Sequence, residues 1–342
     1  MGIKDTRVKE FLSDNRRFAD LCNFFIFGGQ QKIAPEDLHE MDSVCALNVP
    51  TDEGYISLKK QRDLLKHVVI KCTKKCTYAI IGIENQSEIH YAMPVRNMLY
   101  DVMNYTAQVE ELRKLHINNG DLKNSSEFLS GLTADDRLTP VITLTLYLGS
   151  KTWDGPRSIH DMLDRSYSAI LDFVADYKIN LIQPGRIDDF SQFKTSLGEV
   201  LHVMKLLEDK QEMEKLLQTD PAFKRMDRET AEMISTYAGL KLESNLEEDD
   251  KVDMCKAWAD QRMEGVEEGM AKGREQGMAE GLMSGELLTQ IKMVVNKIKK
   301  GKTPEETVDA LELKSDMVQK IYDIAGKMAP DYDVDEIMKK MT

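Results

Sequence analysis

Long apolar runs are missing from this chain. None approaches the roughly 18 residues that a membrane-spanning helix needs, and the longest, Val141–Leu148, is broken by threonines, so a helical membrane protein is excluded. Cysteine is sparse as well. Cys22, Cys45, Cys72, Cys76 and Cys255 make an odd, scattered set of five, which excludes a disulfide-framed scaffold. The opening residues Met1-Gly2-Ile3-Lys4-Asp5-Thr6 carry no apolar leader region. A reduced, cytoplasmic protein is therefore expected. Met1, Gly2 and Thr6 satisfy the minimal myristoylation pattern, but no second membrane signal accompanies it, and no membrane partner is expected. Nine prolines and 20 glycines in 342 residues are too few for a collagenous chain, and 42% hydrophobic with 31% charged residues are globular proportions. At about 150 residues per domain the length allows two or three folding units.

Positive charge is also in deficit. Lys and Arg number 46 against 59 Asp and Glu, a net of −13, which argues against nucleic-acid binding by bulk charge. The distribution matters more than the sum. Between Tyr55 and Thr77 seven cations, among them Lys59, Lys60, Arg62 and Lys66, surround the single acid Asp63. A second basic island, Lys292 to Lys302, carries five lysines and no acid. The acidic run Glu243–Asp250 reads as a linker.

Apolar residues from Val8 to Phe25 recur near the 3.6 period, so residues 7–27 are predicted as one amphipathic helix closed by Gly28-Gly29. Short β-rich runs follow at Val44–Val49, Leu64–Cys72, Tyr78–Ile83 and Val141–Leu148, with a weaker one at Ile179–Ile182. His90–His116 is helical in pattern, with Pro94 near its start where a proline is tolerated. This order implies an α/β layer with a mixed sheet. After Pro184 the pattern turns helical over Phe190–Leu207, Lys210–Leu217 and Arg228–Leu240. Four segments result: a core over 1–185, a helical extension with acidic linker over 186–250, a glycine-repeat helix over 251–290 and a small helical unit over 291–342. The repeat places glycine at 265, 269, 273, 277, 281 and 285. Six glycines cost a helix roughly 5–6 kcal/mol relative to alanine, so the ladder is expected to be a compliant spacer, with a packed oligomerisation helix as the alternative. In the last unit Thr303, Pro304 and Glu306 form a capping-box pattern. The outline there is similar to a helix-turn-helix, but Thr303–Gly326 carries six acids against Lys314 and Lys320, which favours packing over base reading.

The apolar run Ala79–Ile83 ends in Glu84, with Gln86 two residues on and therefore on the same strand face. A buried strand holds a charge only if that charge is paired or binds metal. Asp63 stands at the mouth of the preceding strand. Two acids on adjacent strands, with cations around them, describe a hard divalent-ion site able to face a phosphodiester. Spacing alone favours Asp63 as a surface acid paired with Arg62 or Lys66, and leaves Glu84 free to cap the helix that begins near His90.

The stretch Val8-Lys-Glu-Phe-Leu-Ser-Asp-Asn-Arg-Arg-Phe-Ala-Asp-Leu-Cys22, with Ile83-Glu-Asn-Gln-Ser-Glu-Ile-His-Tyr-Ala-Met-Pro-Val-Arg-Asn-Met-Leu-Tyr100, resembles the Rpn family. These are the recombination-promoting nucleases, or YhgA-like putative transposases, of the PD-(D/E)XK nuclease superfamily. Ser125–Gly131, Trp153–Arg157 and Asp176–Leu181 extend the resemblance, which covers about residues 5–240. It implies a restriction-endonuclease-like mixed sheet flanked by helices, followed by an all-helical C-terminal extension. Asp63 and Glu84 then match the two motif acids, and with the main-chain carbonyl of Asn85 they would hold Mg²⁺ or another divalent cation. Gln86 stands where the superfamily has lysine and supplies neither charge nor proton. Arg96 is the nearest replacement, its alternative being a helix-surface arginine paired with Asp101 or solvent. Asp20 is a candidate to stand behind a metal ligand, with capping or a salt bridge as the commoner role, and Lys59, Lys60 and Arg62 are candidate phosphate contacts. The implied activity is Mg²⁺-dependent DNA endonuclease of weak sequence preference, linked to recombination or mobile elements. The rival is a DNA-binding or homo-oligomeric interaction protein whose nuclease fold has lost turnover.

Overall fold

The computed structural model describes all residues except 1, 43, 52–53, 62, 73–74, 165, 167, 243–250 and 342, with the backbone alone at 44–51, 54–61, 71–72, 75–78 and 168. One compact unit spans Met1–Ala259 and a second spans Asp260–Thr342.

The first unit opens with α1 (Ile3–Ser13) and α2 (Asn15–Phe27), where the period predicts one helix. The break falls at Asp14, whose carboxylate accepts the Arg16 main-chain N–H at 2.7 Å. Ser, Asp and Asn in succession favour a cap over a helix interior. The second helix closes at Gly28 with φ +59°, a left-handed conformation that glycine adopts without steric cost.

Strands β1 (Leu38–Glu40), β2 (Val44–Thr51), β3 (Gly54–Gln61), β4 (Leu64–Cys72) and β5 (Lys75–Gln86) follow. Then come α3 (Met93–Asn119), α4 (Ser125–Ser130), β6 (Val141–Tyr147), α5 (Ser168–Leu171) and β7 (Asn180–Ile182). Five strands make one mixed sheet in the order β1-β4-β5-β6-β7. The β1–β4 and β4–β5 pairs are antiparallel, and β5–β6 and β6–β7 are parallel. The Val44–Val49 run lies outside this sheet, in a separate hairpin of β2 and β3 with Leu47 opposite Leu58. Residues alternate faces along β5. Ala79, Ile81 and Ile83 join Phe11 and Phe18 in the main core, while Ile80 packs with Leu65, Val141 and Tyr105 of α3.

Helices α6 (Leu197–Lys205), α7 (Lys210–Thr219) and α8 (Arg228–Ala238), with the short strands β8 (Met226–Asp227) and β9 (Lys251–Val252), complete this unit. Leu197, Val200, Phe223 and Ile234 share one continuous core with Phe11, Phe18, Leu64 and Ile83. Full burial of each such side chain contributes about 1.5–3 kcal/mol. The extension expected from residue 186 is thus part of the same compact unit as the sheet, because its amphipathic helices bury their apolar faces on α1 and α2.

The helix α9 (Met254–Lys299) carries the glycine ladder without interruption. All six glycines are exposed, and an added Cβ would meet no atom within 4 Å at any of them. The helices α10 (Pro304–Leu311), α11 (Ser315–Gly326) and α12 (Val334–Met341) enclose a second core in which Ile291, Val294 and Val295 meet Val318, Ile321 and Ile337. The capping box forms as expected, with Thr303 N–H donating to Glu306 Oε2 at 3.1 Å and Glu306 N–H to Thr303 Oγ1 at 3.3 Å. Among the described residues no helix is long and apolar enough to cross a membrane.

Replacing all six ladder glycines by alanine should stabilise α9 by about 0.8–1 kcal/mol per site, seen as a higher-melting far-ultraviolet ellipticity. The sedimentation mass should stay unchanged. A drop in mass would show that the ladder is a close-packed ridge between copies.

Candidate functional site

In the antiparallel pair of β4 and β5, Leu64 lies opposite Ile83 and Leu65 opposite Gly82. Continuing that register by one residue sets Asp63 opposite Glu84, on the face that α3 covers. Asp63 is buried, and its Oδ2 accepts the Asn85 main-chain N–H at 2.9 Å. Burial raises the Asp63 carboxyl above its ordinary pKa, opposed by that N–H, by Arg96 and by Lys9. Among the described residues no cation forms an ion pair with Asp63. Glu84 is 0% exposed, and its Oε2 lies 3.0 Å from Arg96 Nη2.

Arg96 reaches Glu84 because α3 starts at Met93 with Pro94 in its first turn, after the short loop 87–92 that follows β5. Its guanidinium stands 5.7 Å from the centre of the Tyr100 ring. Burial works against its charge, but Glu84 and Tyr100 outweigh burial and raise its pKa. The alternative partner Asp101 is occupied elsewhere, accepting from Thr143 Oγ1 and Tyr177 Oη at 2.5 Å each. Asn97 Nδ2 donates to Thr145 Oγ1 at 2.8 Å, beside Glu84 in the β5–β6 register. The buried side of α3 therefore mixes the polar Asn97, Asp101 and Asn104 with the apolar Met93 and Met103. Sequence reasoning missed Asn97 and Tyr100, although the signal was there: Asn97, Tyr100, Asp101 and Asn104 recur at helical spacing from Met93 onward.

Gln86 is half-buried and donates through Nε2 to the Asn85 carbonyl at 2.8 Å. The Asn85 side chain is buried, and neither its amide nitrogen nor its oxygen has a hydrogen-bond partner among the described residues. Lys66 does not pair with Asp63. It lies on the opposite sheet face, 1% exposed, donating to the Ser13 carbonyl at 2.7 Å and to Asn15 Oδ1, with Phe18 beneath it. Burial lowers its pKa, and a lysine so enclosed cannot serve in a phosphate-binding island. Asp20 also stands apart from the site. Its carboxylate accepts the main-chain N–H groups of Lys194 and Thr195 at 2.8 Å and the Thr195 hydroxyl at 2.7 Å, so it ties α2 to the entry of α6 and backs no metal ligand. Lys59 and Lys60 belong to β3, where the backbone alone is described, and Arg62 lies outside the described residues.

Among the described residues no three His, Cys, Asp or Glu side chains gather in a metal-holding group. The two carboxylates and the Asn85 carbonyl are nonetheless hard oxygen donors, and Mg²⁺ is commonly held by one or two carboxylates, with waters and substrate phosphates completing the shell. The donor set fits such an ion in kind, and the buried Asp63 carboxyl, with no ion pair among the described residues, is the group that an ion would relieve. Comparison of the chain with protein-family models, with curated proteins and with solved structures finds no match.

Removing Arg96 while Glu84 remains strands a buried carboxylate. Arg96→Met should cost about 1–3 kcal/mol, moderated because its side chain is 36% exposed. Adding Glu84→Gln should return part of that loss in a urea-melt double-mutant cycle. Strictly additive costs would mean that the pair carries no coupling.

Proposed function

We propose that Asp63, Glu84, Gln86 and Arg96 form the cleavage site of a metal-dependent DNA endonuclease of weak sequence preference, in keeping with the resemblance to the recombination-promoting nucleases. The observation that carries this reading is the pairing of two buried carboxylates across β4 and β5, with the Arg96 guanidinium brought onto one of them. In this reading Asp63, Glu84 and the Asn85 carbonyl hold Mg²⁺. When bound, the ion supplies Lewis acidity towards a phosphodiester and a more acidic water. Arg96 contributes the positive charge that Gln86 lacks and steadies negative charge developing on phosphate oxygens. Gln86 orients a water through its amide but moves no proton. Lys59, Lys60 and Arg62 contact the DNA backbone without reading sequence. A restriction-endonuclease-like ancestry for the mixed sheet and a cytoplasmic setting belong to the same proposal.

A second reading is favoured by the Gln86 amide, which rests on the Asn85 carbonyl where the superfamily has a cation. It is a DNA-binding, self-associating protein without turnover. Plasmid nicking separates the two. The nuclease reading expects nicking with Mg²⁺, none with chelator, and a loss in Asp63→Ala or Glu84→Ala larger than the roughly 10–100-fold that an outer-shell change costs. Retained plasmid binding with no nicking at any metal concentration would favour the second reading.

A further inference from the structure

Five cations line one cavity of about 640 Å³ in the first unit, in a chain whose net charge is −13. Arg16 and Arg17 come from the first turn of α2, Lys194 from the loop before α6, Arg228 from the start of α8 and Lys251 from β9. Among the described residues Asp227 and Glu229 are the carboxylates in the lining, and both are engaged by Arg17, at 3.6 and 2.8 Å. Arg17 itself is 6% exposed and lies 3.9 Å from the centre of the Phe11 ring, its Nη1 donating to the Phe11 carbonyl. It is a fixed, buried positive group, not a surface side chain. Arg16 pairs with Asp14 at 2.7 Å and Arg228 with Glu232 at 3.0 Å. Lys194 and Lys251 are exposed and make no ion pair among the described residues. Among the described residues the lining carries five cations against two carboxylates, and Lys194 and Lys251 are the cations there without an ion pair.

A positive concavity with low-dielectric walls focuses its field on anions, and a cavity of this volume holds a nucleotide-sized ligand. Its lining contains no aromatic ring on which a base would stack, so charge is what it recognises. Lys and Arg suit phosphate oxygens through charge-assisted hydrogen bonds. Ser196 also lines the cavity, but its hydroxyl donates to Thr230 Oγ1 at 2.7 Å, Thr230 giving its own proton to Asp227, so the cations carry the recognition. We propose that this cavity binds a di- or triphosphate anion, inorganic or carried by a nucleotide. None of the residues of the Asp63–Glu84 site lines it, and the proposal stands whether or not that site cleaves DNA.

The test uses the full chain, titrated by calorimetry with inorganic pyrophosphate and with ATP, and by fluorescence anisotropy with a short DNA duplex. The variant is Lys194→Ala combined with Lys251→Ala. The Asp20 bond to residue 194 is through the main-chain N–H and survives the change, whereas altering Arg17 would strand Asp227 and Glu229. A Lys194→Gln, Lys251→Gln pair serves if the alanine pair melts early. Both phosphates should bind the wild type saturably and weaken at least about tenfold in the variant, with duplex affinity unchanged. Absence of saturable binding, equal binding by the variant, or a matching loss of duplex affinity would each overturn the proposal, the last by making the cavity a contact for the DNA backbone.

Discussion

A carboxylate with no solvent exposure at the end of a central strand constrains everything packed around it. Glu84 cannot stay charged between a sheet and a helix without a cation, and among the described residues Arg96 stands 3.0 Å away. That demand sets where α3 begins and which side of it faces the sheet. Asn97, Tyr100, Asp101 and Asn104 are buried while Val95 and Val102 are turned to solvent, the reverse of what apolar burial alone would select. Thr143 and Thr145 on β6 then serve as partners for Asp101 and Asn97. The apolar core lies almost wholly on the other side of the sheet.

The first unit buries other charges, and comparison with them separates scaffolding from chemistry. Lys66 is surrounded by a main-chain carbonyl, an amide oxygen and an aromatic ring. Asp20 is met by two main-chain N–H groups and a hydroxyl. Groups satisfied in that way by the backbone have no capacity left for a ligand, and they fix how α1, α2 and the α6 entry meet. Glu84 and Asp63 differ. One relies on a long side chain that reaches solvent, and the other has a single main-chain donor in a setting that raises its pKa. An ion or a phosphate can displace or recruit such partners without dismantling the core.

The sequence was legible where a local pattern and the tertiary demand agree. The runs that became β4, β5 and β6, the proline start of α3 and the Thr303–Glu306 cap all follow from local chemistry. It was illegible where the outcome depends on a distant partner. The strand β1 is three residues long, and β3 offers only Ile56 and Leu58 as an alternating apolar pair before Lys59-Lys60-Gln61, too short a pattern to mark it. The break at Asp14 is a contest between helix period and capping that the period does not register. The union of residues 186–259 with the sheet needs knowledge of which apolar faces meet. At the site, Asp63 and Glu84 were legible as acids at strand ends, and the pairing register then sets them opposite each other. Asn97 and Tyr100 were legible only as a helical repeat, and they were passed over because a polar residue is ordinarily taken to face water. Lys66 misled for the same reason.

The central claim, that Asp63 and Glu84 together offer a place for one hard cation, is tested most directly by metal binding rather than by turnover. Manganese titrated into the full chain and followed by electron paramagnetic resonance should reveal one bound ion per chain. It should be lost in Asp63→Asn while the thermal melt stays cooperative. Absence of a bound ion in the wild type, or undiminished binding in Asp63→Asn, would contradict the account.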